Sequence, residues 1–459
     1  MRKLLGLLAV AAIVFSLGLP AAAQEVVSAK ASRLTIGGSI DFDAVAREAA
    51  IFSVGPYDEH FVNTDLTIEL TLDMTDNVGA FIKIRDDWIC EEMMIDGLGG
   101  ELANGYGYCY CSDVETYIGM PLSLPIEPCN AWSWDDYNLQ IEEAYIDVRE
   151  FLVPELDIRI GLQNLVWDLR GNGDEFLLNV NENHWGYYGP VEAGAWKATY
   201  DADPLMLEGF VATIWESLGY RDDHALYGAM ATYPFDDMSK GQLGVLVYNA
   251  DSSQMYAVDV GVDYWLNEDL ELYAEGAWEF GNWLDWAIDE MDASGWGAYG
   301  GAMYTFRDVE WTPSVDLSYW YLSGDDTFDD DNEFFMSFED VDTFAILEEN
   351  HYGWDFDSNY QAFKFCGSAM PAEDLTADLK VGWFTLVEDE AYGYDEDALG
   401  IEVDASVTWQ YSENLAFTGL VAYLFEAGLI KELVDDVGYG AEEAEDSGYL
   451  ASFQTRLIF

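Results

Sequence analysis

The side chains best suited to selecting a charged solute are the Lys and Arg residues, because they are scarce. The 459-residue chain has 18 of them against 88 Asp and Glu residues. Lys83 and Arg85 alternate with Ile82 and Ile84, and in an extended strand alternating positions share one face. The same alternation places Arg149 and Arg159 on one face of two later segments. Together, Lys83, Arg85, Arg149 and Arg159 are predicted to form a basic strip on one solvated wall.

Acidic residues occupy the same predicted inner faces, so this wall carries charges of both signs. Strips and rings of charge determine which ions pass through a pore. The formal net charge of −70 predicts a preference for cations and excludes nucleic acid as a general partner, because both molecules would be anionic. The residues predicted from the alternation to line the pore are Glu69, Asp73, Lys83, Arg85, Arg149, Arg159 and Lys380.

The elements that must position these residues are amphipathic strands. Residues 65–74 alternate Asp, Thr and Glu with Leu, Ile and Met, and Thr75-Asp76-Asn77 then forms a tight turn before alternation resumes at Val78. Similar short turns recur along the chain, and long acidic segments separate the strand pairs. Short turns that alternate with long loops are typical of outer-membrane barrels.

Residues 24–459 are therefore predicted to form a single all-β domain, a transmembrane antiparallel barrel. The pattern gives eighteen strands, with sixteen as the alternative if one hairpin is miscounted. Alternate residues of 256–264 and of 401–409 are predicted to face lipid. Aromatic residues at strand ends are predicted to mark the membrane interfaces, where their amphipathic rings are favoured: Trp196, Trp278, Phe306, Trp383 and Tyr411.

Both ends of the chain fit an outer-membrane protein. Residues 1–23 have the basic start, apolar stretch and small-residue cleavage site of a secretory signal peptide. Residues 448–459 alternate and end on Phe459, as in the C-terminal strand that the barrel-assembly machinery recognises. We expect a location in the outer membrane of a Gram-negative-type bacterium, in contact with lipid and lipopolysaccharide, as a monomer or a trimer.

Four cysteines lie in one predicted loop, residues 89–138. In an oxidising compartment Cys90, Cys109, Cys111 and Cys129 should pair, either as 90–109 with 111–129 or as 90–111 with 109–129. A four-thiolate metal site is the rival interpretation. A second predicted loop, residues 323–358, carries the run DDTFDDDNE, which could attract Ca²⁺; no other cofactor is expected.

Enzymatic motifs are missing from the sequence. There is no G-x-S-x-G or H-E-x-x-H element, and the four histidines lie in or beside predicted loops. A hydrolase built from Asp and His residues of the loops is the alternative. We expect no enzymatic activity.

Residues 142–179 read EEAYIDVREFLVPELDIRIGLQNLVWDLRGNGDEFLLN, and this stretch resembles the alginate-export family of outer-membrane barrels. Gly161, Gln163, Asp168 and Arg170 match the family pattern, whereas Leu162 replaces its Arg. The segment YLSGD at 321–325 resembles a later element of such barrels. The resemblance implies an eighteen-stranded channel with a basic constriction, whose equivalents here are Lys83, Arg85, Arg159 and Arg170.

Three functions follow as hypotheses. The first is a porin for passive diffusion of small hydrophilic solutes and ions, with a preference for cations. The second, implied by the resemblance, is export of an alginate-like polysaccharide, which an acidic vestibule would repel. The third is a structural or adhesive surface barrel whose lumen is plugged.

Overall fold

The computed structural model describes most of the barrel wall and parts of its loops. The described residues are 33–47, 59–86, 139–171, 176–180, 185–186, 189–190, 193–216, 223–249, 254–284, 290–325, 331–332, 335, 343–348, 356, 358–388, 396–437 and 446–459. The predicted signal peptide, loop 89–138 and its four cysteines lie outside them.

Eighteen long strands form the wall. They are β1 Arg33–Arg47, β2 Glu59–Asp73, β3 Val78–Asp86, β4 Leu139–Val148, β5 Leu156–Gln163, β6 Ala193–Asp201, β7 Met206–Glu216, β8 Asp223–Pro234, β9 Lys240–Asn249, β10 Gln254–Asn267, β11 Leu270–Leu284, β12 Trp296–Thr305, β13 Ser314–Leu322, β14 Tyr360–Ala372, β15 Leu375–Leu386, β16 Ala398–Ser412, β17 Leu415–Phe425 and β18 Gly448–Ile458.

Each strand pairs antiparallel with the next, and β18 pairs with β1 over the register Ser39↔Ile458 to Arg47↔Leu450. The sheet is therefore a closed barrel, which leaves no unpaired edge. The predicted all-β barrel with eighteen strands is confirmed.

Apolar and aromatic side chains cover the outer face of the wall. The rows at 256–264 and 401–409 point outwards, as do the five residues predicted for the aromatic girdles, Trp196, Trp278, Phe306, Trp383 and Tyr411. Stacked rings join neighbouring strands on this face, with the centroids of Trp296 and Tyr321 4.4 Å apart. An apolar outer band with aromatic residues is what lipid requires of a barrel.

The short turns lie at one end of the barrel and are closed by local hydrogen bonds. In the turn between β8 and β9, Asp236 accepts the backbone N–H groups of Met238 and Ser239 at 2.9 and 2.8 Å. These two donors lower the pKa of Asp236, because they stabilise its carboxylate form. Arg149 lies one residue beyond β4 in such a turn, exposed, and therefore sits at the rim rather than on the predicted strand.

The described residues include a helix, α1 Gly428–Val437, which follows β17 and was not expected in a purely β chain. Among the described residues, no helix is both long and apolar enough to cross a membrane. Leu429 and Ile430 of α1 are fully buried. They belong to a hydrophobic core inside the barrel, towards the long loops, to which segments of the loops 164–192 and 323–359 also contribute.

Candidate functional site

Lys83 and Arg85 face the lumen side by side on β3 and share one carboxylate. Glu142 lies 2.9 Å from Lys83 Nζ and 3.4 Å from Arg85 Nη1, and Arg85 also lies 3.7 Å from Asp65. Lys83 pairs with Glu143 and Ile84 with Ile141, so Glu142 is an extra residue, a β-bulge, in β4. The bulge turns Glu142 inwards, where it is buried.

The strip continues on β5 and β6. Arg159 Nε donates to Asp147 Oδ1 at 2.8 Å, and its guanidinium lies 3.9 Å from the centre of the Tyr145 ring. Lys197, which pairs directly with Arg159 in the sheet, lies 2.8 Å from Glu208. Four bases thus line one wall, and each has a carboxylate partner that neutralises much of its charge.

Glu69 and Asp73 lie on the same inner surface, one strand away, and both are exposed. Neither forms an ion pair with a described residue. On the other side of β1, Arg456 lies 3.2 Å from Asp41. Arg33, which lies opposite Asp73 in the sheet, is exposed as well, so the exposed charges on this part of the wall are of both signs.

The chain that follows β5 folds into the barrel and lies across the strands β9 to β13. We name residues 164–171 the inward segment. Its Trp167 and Leu169 are buried and fill gaps left by glycines: a Cβ at Gly244 would lie 2.9 Å from Trp167 Cζ3, and one at Gly261 2.8 Å from Leu169 Cδ2. Trp167 Nε1 donates to Glu208 Oε1 at 3.2 Å, which links the segment to the basic strip.

Arg170 is the charged residue of the inward segment. Its Nε donates to Glu271 Oε1 at 2.7 Å, and its Nη2 donates to Asp316 Oδ2 at 3.1 Å. Its guanidinium lies 3.6 Å from the centre of the Tyr273 ring, and the Tyr273 hydroxyl donates to Asp316 at 2.5 Å. Only 5% of the Arg170 side chain is exposed. Arg170 is thus enclosed by wall residues of β11 and β13.

Beside this cage, two acidic residues of neighbouring strands share a donor. Gln242 Nε2 donates to Asp259 at 3.1 Å and to Glu275 at 2.7 Å, and the Tyr299 hydroxyl donates to Glu275 at 2.8 Å. All four side chains are buried. The inner face of β9 to β12 is therefore acidic, but the inward segment covers it.

On the wall formed by β14, β15 and β16, carboxylates hold a second loop segment, the turn 343–348. Glu402 accepts the backbone N–H groups of Ile346 and Leu347 at 2.7 and 3.0 Å, and Asp404 accepts that of Ala345 at 3.0 Å. Carboxylates are strong acceptors for otherwise unpaired backbone donors. Both acids are buried, and the turn is fixed to the wall.

Two lysines complete the attachment of the turn. Lys380 Nζ donates to the Thr343 carbonyl at 2.6 Å, and Lys364 lies 2.5 Å from Glu348. Lys380 therefore faces inwards, as the alternation predicts, but it holds a loop rather than an open surface.

The structure thus brings Lys83, Arg85 and Arg159 together on one wall with Glu69 and Asp73 nearby. Arg170 and Lys380 lie elsewhere: Arg170 belongs to the inward segment and contacts the wall, and Lys380 lies on the wall and contacts the turn 343–348. Sequence reasoning missed Glu142 because the bulge breaks the alternation, and it missed the contacts of both loop segments because they join residues far apart in the chain. Among the described residues, no cluster of three or more His, Cys, Asp or Glu side chains could hold a metal ion.

Comparison with known proteins agrees with this architecture. The family model for alginate export matches residues 232–400, which include the YLSGD element but not the stretch 142–179. The resemblance to that family is thereby confirmed over this part of the chain. Comparison with curated proteins gave no match.

Solved structures match over nearly the whole barrel. OccK11 (OpdR) from Pseudomonas aeruginosa has a TM-score of 0.53 at 10% identity, with 93% of this chain and 96% of that chain covered. OprD from the same organism has a TM-score of 0.51 at 13% identity, with 95% and 97% covered. The fold is that of an outer-membrane porin. A BenF-like porin from Pseudomonas fluorescens Pf-5 also matches, with a TM-score of 0.50, 11% identity, and 93% and 99% covered.

A porin barrel explains the two faces of the wall. Its outer band contacts lipid, and its inner face carries the charged residues described above. The closed barrel and its apolar exterior place the chain in the outer membrane of a Gram-negative-type bacterium, with the short turns towards the periplasm.

Proposed function

We propose that this barrel is a non-enzymatic channel for passive diffusion of small hydrophilic solutes and ions, with a preference for cations. The observation that carries this proposal is the charge balance of the inner wall. The bases of the strip are each paired with a carboxylate, whereas Glu69 and Asp73 are exposed and form no ion pair with a described residue, although Lys83 and Arg33 lie opposite them in the sheet.

The periplasmic rim supports the same preference. The short turns carry many acidic side chains and only two basic ones, Arg149 and Arg307. Acidic groups around the mouth of a channel raise the local concentration of cations. The acids of these turns are Asp76, Glu150, Glu155, Asp203, Asp236, Asp237, Glu268, Asp269, Asp308, Glu310, Glu373, Asp374 and Glu413.

Export of an alginate-like polysaccharide is a second candidate, favoured by the family match over residues 232–400. A polyanion would have to bind the basic strip, so it would have to displace Glu142, Asp147 and Glu208 from Lys83, Arg85, Arg159 and Lys197. This competition makes a small cation the better supported solute.

Conductance of the purified protein in a planar bilayer tests the proposal. Under a salt gradient, we expect an ohmic current whose reversal potential has the sign of cation selectivity. An anion-selective current that an alginate oligomer blocks would support export instead. A bilayer that stays silent although the protein has inserted would contradict both and favour a plugged structural barrel.

A further inference from the structure

We propose that Arg170 is a positioning residue, a latch that keeps the inward segment against the wall and so sets the free cross-section of the lumen. The resemblance to the alginate-export family implies that this arginine belongs to a basic constriction for the solute. Its side chain is instead bound by Glu271 and Asp316 of the wall. The inference rests on the proposed function as a channel.

The first support is the shape of its surroundings. Glu271 and Asp316 bind two edges of the guanidinium, and the Tyr273 ring covers one face at 3.6 Å. A planar, forked cation with an extended face matches this cage, whereas the ammonium of Lys offers a single point charge. The cage is thus specific for a guanidinium.

The second support is burial. The Arg170 and Glu271 side chains are 5% and 4% exposed, so the guanidinium presents almost no surface to a solute in the lumen. A buried cation is stable only while its carboxylate partners remain in place, and the converse holds for the carboxylates. Arg170 and the carboxylates of Glu271 and Asp316 therefore stabilise each other in their positions.

The third support is the local backbone. Asp168 Oδ1 accepts the Gly171 N–H at 2.6 Å, and Gly171 has a φ of 74°, a left-handed conformation that favours glycine. Further along the chain, Asn179–Val180 pairs with Leu165–Val166 of the same segment. In the middle of the segment the Trp167 indole donates to Glu208, so polar contacts lie on both sides of Leu169, which packs between them.

Chemical rescue tests the latch. In Arg170→Ala, hydrogen–deuterium exchange of peptides covering residues 164–171 should become faster than in the wild type, and the unitary conductance should rise. Guanidinium chloride that replaces an equal concentration of NaCl, well below the denaturing range, should enter the empty cage, slow the exchange again and lower the conductance relative to that of the wild type in the same solution. Arg170→Lys should keep the charge but restore protection only in part.

Two further variants serve as controls. Arg307→Ala removes an exposed arginine of a periplasmic turn, and at constant ionic strength its exchange in 164–171 and its conductance should respond to guanidinium no more than those of the wild type. The triple variant Arg170→Ala, Glu271→Gln, Asp316→Asn removes the two carboxylate charges that bind Arg170 together with the arginine itself. It should show fast exchange that guanidinium does not slow, and it remains informative if Arg170→Ala alone does not fold.

The outcomes separate the latch from the channel. Unchanged exchange in both Arg170 variants, or fast exchange that guanidinium leaves unchanged in Arg170→Ala, would overturn the latch. A silent wild-type bilayer would overturn the proposed function, while the exchange measurements, made in detergent, would still decide the latch. If the wild type is cation-selective and Arg170→Ala has the same conductance, the proposed channel function is retained. The control of the lumen width by Arg170 is then contradicted.

Discussion

Phe459 closes the barrel on Gly38. The N–H of each residue donates to the carbonyl oxygen of the other, at 3.1 and 3.0 Å, and the Phe459 ring lies over the Gly38 backbone. A Cβ at position 38 would lie 2.2 Å from the Thr67 carbonyl oxygen and 2.9 Å from Phe459 Cζ. The seam between the first and last strands therefore requires a glycine here.

Gly38→Ala should reduce the amount of folded barrel, because the Thr67 backbone and the terminal ring would both have to move. The measurement is the fraction of heat-modifiable protein in outer membranes after expression. Gly419→Ala is a matched control on another strand, since a Cβ there meets nothing within 4 Å. Equal folding of both variants would show that the seam tolerates a side chain at position 38.

Deletion of Phe459 should impair assembly in cells without changing the conductance of the molecules that do insert. The reason is that Phe459 lies at the seam and on the outer face, away from the lumen. Phe453→Ala, which removes another exposed outer aromatic of β18, is the control. Wild-type levels of the deletion variant in the outer membrane would refute a role for Phe459 in recognition by the assembly machinery.

Neutralising Glu69 and Asp73 together should weaken cation selectivity. In the variant Glu69→Gln, Asp73→Asn, the reversal potential under a salt gradient should move towards zero, because two exposed carboxylates of the inner wall lose their charge. Stability should hardly change, since neither side chain has an ion pair among the described residues. Thr71→Ala, between them on the same face, should leave the reversal potential unchanged.

Glu402→Gln should destabilise the attachment of the turn 343–348. The amide that replaces one carboxylate oxygen would point a donor at a backbone N–H of Ile346 or Leu347, and an unpaired buried donor costs about 1–3 kcal/mol. Denaturant unfolding followed by tryptophan fluorescence measures the loss. Asp378→Asn, a partly exposed position on β15 that contacts Ser406 at 3.2 Å, should cost much less.

Gly261→Ala should force the Leu169 side chain of the inward segment to move, because a Cβ there would lie 2.8 Å from its Cδ2. We expect the same direction of change in conductance as for loss of the Arg170 latch, but no response to guanidinium, since the cage keeps its own arginine. Gly276→Ala adds a methyl to the outer face, where its nearest contact is 3.5 Å, and serves as the control. If both variants had the same conductance, the contact between Gly261 and Leu169 would have no influence on the width of the lumen.

The alternation of residues was sufficient to predict the strands, because lipid on one side and water on the other impose a period of two on every strand. It also placed Lys83, Arg159 and Asp259 on the inner face. It could not assign their partners. Glu142 occupies a bulge that the period does not encode, and Arg170 meets Glu271 and Asp316 across 101 and 146 residues of chain. The helix α1 was missed because its apolar residues Leu429, Ile430, Leu433 and Val437 recur at helical spacing, which a search for a period of two does not detect.

The closed wall also limits the routes by which the inward segment can reach its place. Trp167 and Arg170 contact strands that follow them in the sequence, β9 to β13. They lie inside a barrel that is closed where Gly38 pairs with Phe459. A ring of hydrogen-bonded strands has no lateral opening through which a buried tryptophan could enter afterwards. The inward segment therefore reaches its place either together with the wall as it forms or later, through the open end of the barrel that carries the long loops.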